Sequence, residues 1–253
     1  MRLLPIMLLA LLVPLAGMVH ASYTVSGIYV NVMLNPNTSA TVNETILVQI
    51  SNQSLSQYST SRMALNLTLS DWQHIIGPQL EQHIINPRGS IYDFRFFPGP
   101  IFSGRKGYNA SIELMYNVNN VSTVRQISPR VFEYSFDPAV FNFENGASGE
   151  VLSPNTTLTL NMPRGAQIRS IYPTPDSPIG GFANNYRNVT SVSWNSGEPL
   201  TRFTLIFLIH ESLSDEVAGF FDGIYLALGL YSYVVVAVIV VALVLYLYYK
   251  AGR

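Results

Sequence analysis

The chain has 253 residues, a formal net charge of −1, 11 % charged residues and no cysteine. Without cysteine there are no disulfides, thiolate metal centres or sulfur-linked lipids, so any folded domain must be held by its core. Of the 14 Lys and Arg, only Arg2, Lys250 and Arg253 lie outside residues 22–222, whereas all 15 Asp and Glu lie inside, a balance that argues against nucleic acid as partner.

Residues 1–21 read as a secretory signal. Arg2 supplies the positive start, Leu3 to Leu15 the apolar stretch, and Val19-His20-Ala21 a small-x-small cleavage site ahead of Ser22. Residues 22–215 then read as an ectodomain, large enough for one large domain or two small ones. Ile28, Val30, Val32 and Leu34 alternate with Tyr29, Asn31 and Met33, while Tyr23 and Val25 are apolar at the opposite parity; Gly27 at the switch predicts a bulge. The turn Asn35-Pro36-Asn37-Thr38-Ser39 leads to a second run with Val42, Ile46, Val48 and Ile50 on one face, so the two runs predict a hairpin. Leu65, Leu67 and Leu69 predict a third strand.

One short helix is expected next. Ser70 and Gln73 have the spacing of a capping box, and Ile75, Ile76, Leu80 and Ile84 supply an apolar stripe that Gly77-Pro78 should kink or split. Strands are expected at Ile91 to Phe97 and Tyr108 to Tyr116, with a loop from Phe97 to Gly107 between them. Further strands are expected at Val131 to Phe136, Thr156 to Met162, Ile168 to Tyr172, Val189 to Trp194 and Thr201 to His210. The last is apolar on both faces, as a central strand is. The stretch 117–130 reads as a softer join between two sub-domains. Many short strands with Gly, Pro and Asn turns predict a mainly β ectodomain of antiparallel β-sandwich type, as one large or two small sandwiches.

Eight of the 19 asparagines head N-x-[ST] triplets: Asn37, Asn43, Asn52, Asn66, Asn109, Asn120, Asn155 and Asn188. A glycan cannot enter a packed core. Asn43, Asn66, Asn109 and Asn155 all have the parity opposite to their apolar neighbours, as solvent-facing acceptors require.

Signals for chemistry are sparse. His74 and His83 lie near Asp71 and Glu81 but lack the H-E-x-x-H spacing of a zinc helix. G-x-S-x-G, P-loop and G-x-G-x-x-G motifs are absent, and no cofactor is expected. Asp93, Glu113, Glu133 and Asp137 would form a carboxylate site only if the fold brought them together. Aromatics crowd residues 94–143, and most belong to a core. Phe96, Phe97 and Phe102, with Arg105 and Lys106 at the following turn, form the candidate contact loop.

Residues 216–223 link the ectodomain to a stretch, Ile224 to Tyr249, without a charged residue. Its 26 residues span roughly 39 Å as a helix, against a hydrocarbon core of about 30 Å. Tyr225, Tyr231 and Tyr233 at one end and Tyr246, Tyr248 and Tyr249 at the other suit the two headgroup levels. Lys250 and Arg253 place residues 250–253 in the cytoplasm by the positive-inside rule, so the working surface is expected outside the cell.

Pro163, Gly165, Ala166 and Ile168, then Pro173, Pro175 and Asp176, then Trp194 before the last strand form a pattern that resembles archaeal single-pass membrane-anchored ectodomains of β-sandwich type. The resemblance covers about 50 residues and implies fold and anchoring, with no active site. The expected function is therefore a non-catalytic surface module. It would sit on the lipid bilayer and contact an envelope protein, a membrane protein or a glycan. An accessory subunit of a membrane complex and a surface hydrolase with a carboxylate site are the alternatives.

Overall fold

The computed structural model describes residues 23–64, 66–104, 107–146, 149–178, 189–212, 217, 222–223, 225–227 and 229–251. The expected signal (1–21), Arg105, Lys106, Asn188 and Arg253 lie outside them. The described chain is mainly β, with few short helices and one long apolar helix at its C-terminal end.

Strands β1 (Tyr23–Leu34) and β2 (Ala40–Ile50) form the expected hairpin, and their register slips between Val25 and Gly27, where the parity of the apolar residues changes. In the turn, Asn37 Oδ1 accepts hydrogen bonds from Ser39 N–H at 3.2 Å and Ser39 Oγ at 2.7 Å, an Asx arrangement that fixes the reversal. β2 then pairs along its whole length with β5 (Gly107–Val118). Outside β5 lie β3 (Ile91–Pro98) and the short β4 (Phe102–Gly104). Thus the stretch expected as a loop contains a strand, because Phe102 and Ser103 find free partners on Asn109 and Tyr108.

β1 also pairs with β10 (Thr156–Asn161), which carries β12 (Ser191–Trp194) at the edge. The β1–β10 pairing is parallel, so the all-antiparallel expectation is corrected at this point. Hairpins enforce opposed directions, but strands far apart in sequence are joined by a crossover that leaves either direction open. The result is a seven-stranded sheet of order β12-β10-β1-β2-β5-β3, with β4 beside β5.

A four-stranded sheet has the order β11-β13-β7-β6, from β6 (Ser122–Ser128), β7 (Val131–Phe136), β11 (Gln167–Tyr172) and β13 (Thr204–His210). β13 is interior, as its apolar sequence requires. β6 occupies the stretch 117–130; its side chains are exposed beyond Ser122, so it has no buried face for a period-two pattern to reveal. β8 (Asn145–Gly146) and β9 (Gly149–Glu150) make a small ribbon. Side chains from both large sheets, among them Ile46, Leu114, Leu160, Phe136 and Phe207, belong to one buried apolar cluster.

Two helices precede β3. α1 (Leu55–Met63) and α2 (Leu69–Ile76) stand where a strand was expected around Leu65, Leu67 and Leu69: Leu69 is helical, Leu67 lies in no strand, and Leu65 is outside the described residues. Alternation over three leucines is too short to exclude a helical start, and the cap decides it. Thr68 is the N-cap: Asp71 Oδ2 accepts from Thr68 N–H at 2.8 Å and Thr68 Oγ1 at 2.7 Å, and Thr68 Oγ1 accepts from Asp71 N–H. The capping box is therefore Thr68 with Asp71, two residues before the expected Ser70 with Gln73. Gln73 instead reaches forward, its Nε2 donating to the Leu80 carbonyl at 2.8 Å. α2 ends at Gly77, whose φ of 137° no side chain favours. Ile76, Leu80 and Ile84 are nevertheless buried, the last two from non-helical backbone.

The residues that carry the archaeal resemblance close a local clamp. Gly165 turns at φ 80°, Ala166 and Ile168 are buried, and Trp194 Nε1 donates to the Pro173 carbonyl at 3.1 Å. Asp176 Oδ2 accepts from Asn195 N–H at 2.8 Å. α3 (Ser232–Ala251) is the long C-terminal helix.

Candidate functional site

On β2 the side chains of Val42, Ile46, Val48 and Ile50 point into the core. Glu44 shares their parity. Its carboxylate lies on the buried face of an interior strand, flanked in register by Val30 of β1 and Leu114 of β5, and is 0 % exposed. A lone carboxylate there is strongly unfavourable, so its partners are decisive.

Two arrive from different directions. Tyr116 stands two residues along β5 from Leu114, on the same face, 1 % exposed, and its hydroxyl donates to Glu44 Oε1. The segment after α2 crosses this face and delivers His83, 3 % exposed: its backbone N–H donates to Glu44 Oε1 at 2.8 Å and its Nδ1 lies 2.7 Å from Oε2. The Tyr116 oxygen in turn accepts from Ile84 N–H at 3.2 Å. Three donors thus converge on one carboxylate, a number an ionised acid can accept.

The delivering segment is fixed on its other side. Ile85 N–H donates to the Val140 carbonyl at 2.7 Å, Asn142 N–H to the His83 carbonyl at 2.9 Å, and Asn142 Nδ2 to the Gln82 carbonyl at 2.9 Å. The imidazole also packs on Phe143, with ring centroids 5.2 Å apart.

Nδ1 is committed to Glu44, but among the described residues nothing hydrogen-bonds His83 Nε2. The ring borders a pocket of about 370 Å³ that is also lined by Glu81, Glu144 and Asn155. Burial presses His83 toward the neutral form, yet the Glu44 hydrogen bond and charge, with the charges of Glu81 and Glu144, outweigh it and raise its pKa above 6.5. Burial likewise raises Glu81, with Glu44 and Glu144 adding to it and His83 opposing. Burial, then the Glu44 charge and hydrogen bond, hold the Tyr116 phenol well above its ordinary range.

The residues singled out from sequence fall elsewhere. Asn37, Asn43, Asn52, Asn66, Asn120 and Asn155 are exposed. Asn66 lies in the turn between α1 and α2, so the strand parity assigned to it does not apply. Asn109 is half-buried: a Cβ placed on Gly104 would lie 2.2 Å from its Nδ2, so the amide is folded over the β4 turn. Phe97 and Phe102 are exposed at the sheet edge, whereas Phe96 packs on Trp72 with centroids 5.9 Å apart. His74 is on the surface, bonded to the Ser70 carbonyl, and does not meet His83. Asp93, Glu113, Glu133 and Asp137 do not converge. Asp93 accepts from Asn117, Asp137 caps Ala139 N–H, Glu113 is exposed on β5, and Glu133 is held by Arg125 and Arg169. Among the described residues no group of three or more His, Cys, Asp or Glu has the geometry of a metal site. Tyr231, Tyr233, Tyr246, Tyr248, Tyr249 and Lys250 are all exposed on or just before α3.

Glu44 and Tyr116 had no place in the sequence-based expectation. The signal was the acidic residue at core parity between Val42 and Ile46; what it lacked was the partner, 39 residues away at His83.

No protein-family model matches the sequence, and no curated protein does. Among solved structures, the folded domain of LppM from Mycobacterium tuberculosis, determined by NMR, matches over 79 % of this chain and 97 % of that one, at 9 % identity and a TM-score of 0.29. A likeness of that degree transfers neither fold nor function.

Proposed function

We propose that this chain is a non-catalytic, single-pass cell-surface protein whose N-glycosylated ectodomain, a β-sandwich of the two large sheets, binds or supports an envelope component or partner protein. The carrying observation is α3. From Tyr233 to Lys250 it is long and apolar enough to cross a membrane, and none of that stretch is buried among the described residues. In water such a helix would leave its valines and leucines wet; in a bilayer they are solvated and its backbone is satisfied internally. Tyrosines near both ends and Lys250 at one end support placing the β unit outside and the C-terminus in the cytoplasm. The six exposed sequon asparagines support glycosylation of that outer part.

Two measurements on the native source test this. The full-length protein should stay in the membrane pellet through an alkaline carbonate wash, while protease added to intact cells should remove residues 22–222; release by carbonate, or protection from protease, refutes the placement. Glycan mapping should find Asn37, Asn43 or Asn120 modified and Asn109 bare, because its amide is already packed against Gly104. A polypeptide of unmodified mass would remove the glycoprotein part.

A further inference from the structure

The pocket beside His83 belongs to the folded β unit, whatever the helix does. It combines three properties. Its charge is one-sided: among the described residues Glu81 and Glu144 line it and no lysine or arginine does. The His83–Glu44 pair behind it is internally compensated, so the uncompensated charge facing the hollow is negative. Second, it presents a ring nitrogen of a buried side chain that has no hydrogen-bond partner among the described residues. His83, 3 % exposed, has Nδ1 tied to Glu44 and presents Nε2 without a hydrogen bond. Polar atoms of buried side chains are normally paired, so this ring nitrogen at the hollow marks where a ligand's polar atom belongs. Third, the volume of about 370 Å³ is that of a small-molecule site, and Val25, Ile28 and Pro154 give it apolar wall.

We infer that this pocket binds a small organic ammonium ion that also carries hydroxyl groups, the chemistry of an amino sugar. The ammonium group lies against Glu81 and Glu144, two charge-assisted contacts. A ligand hydroxyl pairs with His83 Nε2. The carbon skeleton covers Ile28 and Pro154. A bare metal ion fits less well, because the acidic and imidazole groups do not converge as metal ligands.

The test titrates the full-length chain in detergent micelles with D-glucosamine at mildly acidic pH, followed by ligand saturation-transfer NMR. N-acetyl-D-glucosamine, which has the same hydroxyls but no cationic nitrogen, and calcium chloride serve as the other probes. Saturable glucosamine binding is expected, weakened roughly tenfold or more by N-acetylation and by the double substitution Glu81→Gln with Glu144→Gln. Both positions retain solvent contact, so the fold should survive. Should it not, Ser153→Arg, which brings a cation to the half-buried lining without removing a carboxylate, is expected to abolish binding. No saturable binding, equal affinity for the two sugars, indifference to these substitutions, or displacement of the sugar by stoichiometric calcium overturns the inference.

Discussion

Two glutamates, one on each large sheet, stand at the centre of an ionic cluster, and they live in different physics. Glu44 is on the core side of the seven-stranded sheet, and its partners His83 and Tyr116 are as buried as it is. Glu133 is on the solvent side of the four-stranded sheet, between Arg125 and Arg169, whose side chains are 73 % and 56 % exposed. The geometry is alike: a carboxylate receiving several donors. Surroundings separate them. Water would compensate either arginine if Glu133 were lost, whereas nothing would compensate the hydroxyl, imidazole and amide that Glu44 satisfies. A buried pair is therefore chiefly a constraint: it forces residues 77–90 to lie across the sheet in one position, on pain of an unpaired charge.

The largest expected effect that tests this contrast is Glu44→Ala, which should lower the stability of the full-length chain in detergent by about 3–5 kcal/mol, read from denaturant midpoints. A loss no larger than that of Glu133→Ala would erase the distinction. Tyr116→Phe should come next, at about 1–3 kcal/mol, since it leaves Ile84 N–H without an acceptor and Glu44 one donor short.

The two clusters should also differ in the sign of their pH dependence. His83, faced by Glu44, Glu81, Glu144 and Tyr116, titrates above its ordinary value when folded. Its contribution is complete below the unfolded pKa of 6.5 and is lost as pH rises through the folded value. Raised Glu81 acts in the same sense at lower pH. For Glu133, hydrogen bonding from Arg125 leads, and burial opposes it. The charges of both arginines and the Arg169 hydrogen bond add, and its pKa is lowered. Its contribution is present above the unfolded carboxylate value and lost as pH falls through the folded one. Thermal midpoints should therefore fall between about pH 6 and pH 9, and His83→Gln should flatten that limb while Glu133→Gln leaves it intact. The smallest effect belongs to Arg125→Ala: no resolvable midpoint change at physiological salt, because exposed ion pairs are screened.

Legibility followed the same division. Alternation along β2 and β5 marked the core face, and Gly27 marked the register slip, because both are written in consecutive residues. The helix at Leu69 was anticipated in type but not in origin: Ser70 and Thr68 are both capping residues, and only the reach of Asp71 chose between them. α1 escaped notice because only Tyr58 of its nine residues is buried, anchored by its hydroxyl to the Gly99 carbonyl and by its ring to Trp72. β6 escaped for the parallel reason on a strand. The four carboxylates named in advance as a possible site were dispersed, and the pocket joins Glu81 and His83, which the sequence had marked, to Glu144, which it had not and which the chain keeps far from them.

The amino-acid order alone marked most of the segments that extend, which side chains of β1, β2 and β5 avoid water, and that the C-terminal stretch is apolar enough to span a membrane. These follow from local period and composition, properties of neighbours in the chain. Tertiary structure decided that β1 and β10 run parallel and that a loop from beyond α2 lies over Glu44. It also left one nitrogen of His83 facing an acidic hollow. Those choices rest on contacts between distant residues, selected because the core must be closed and its buried polar groups paired at the same time.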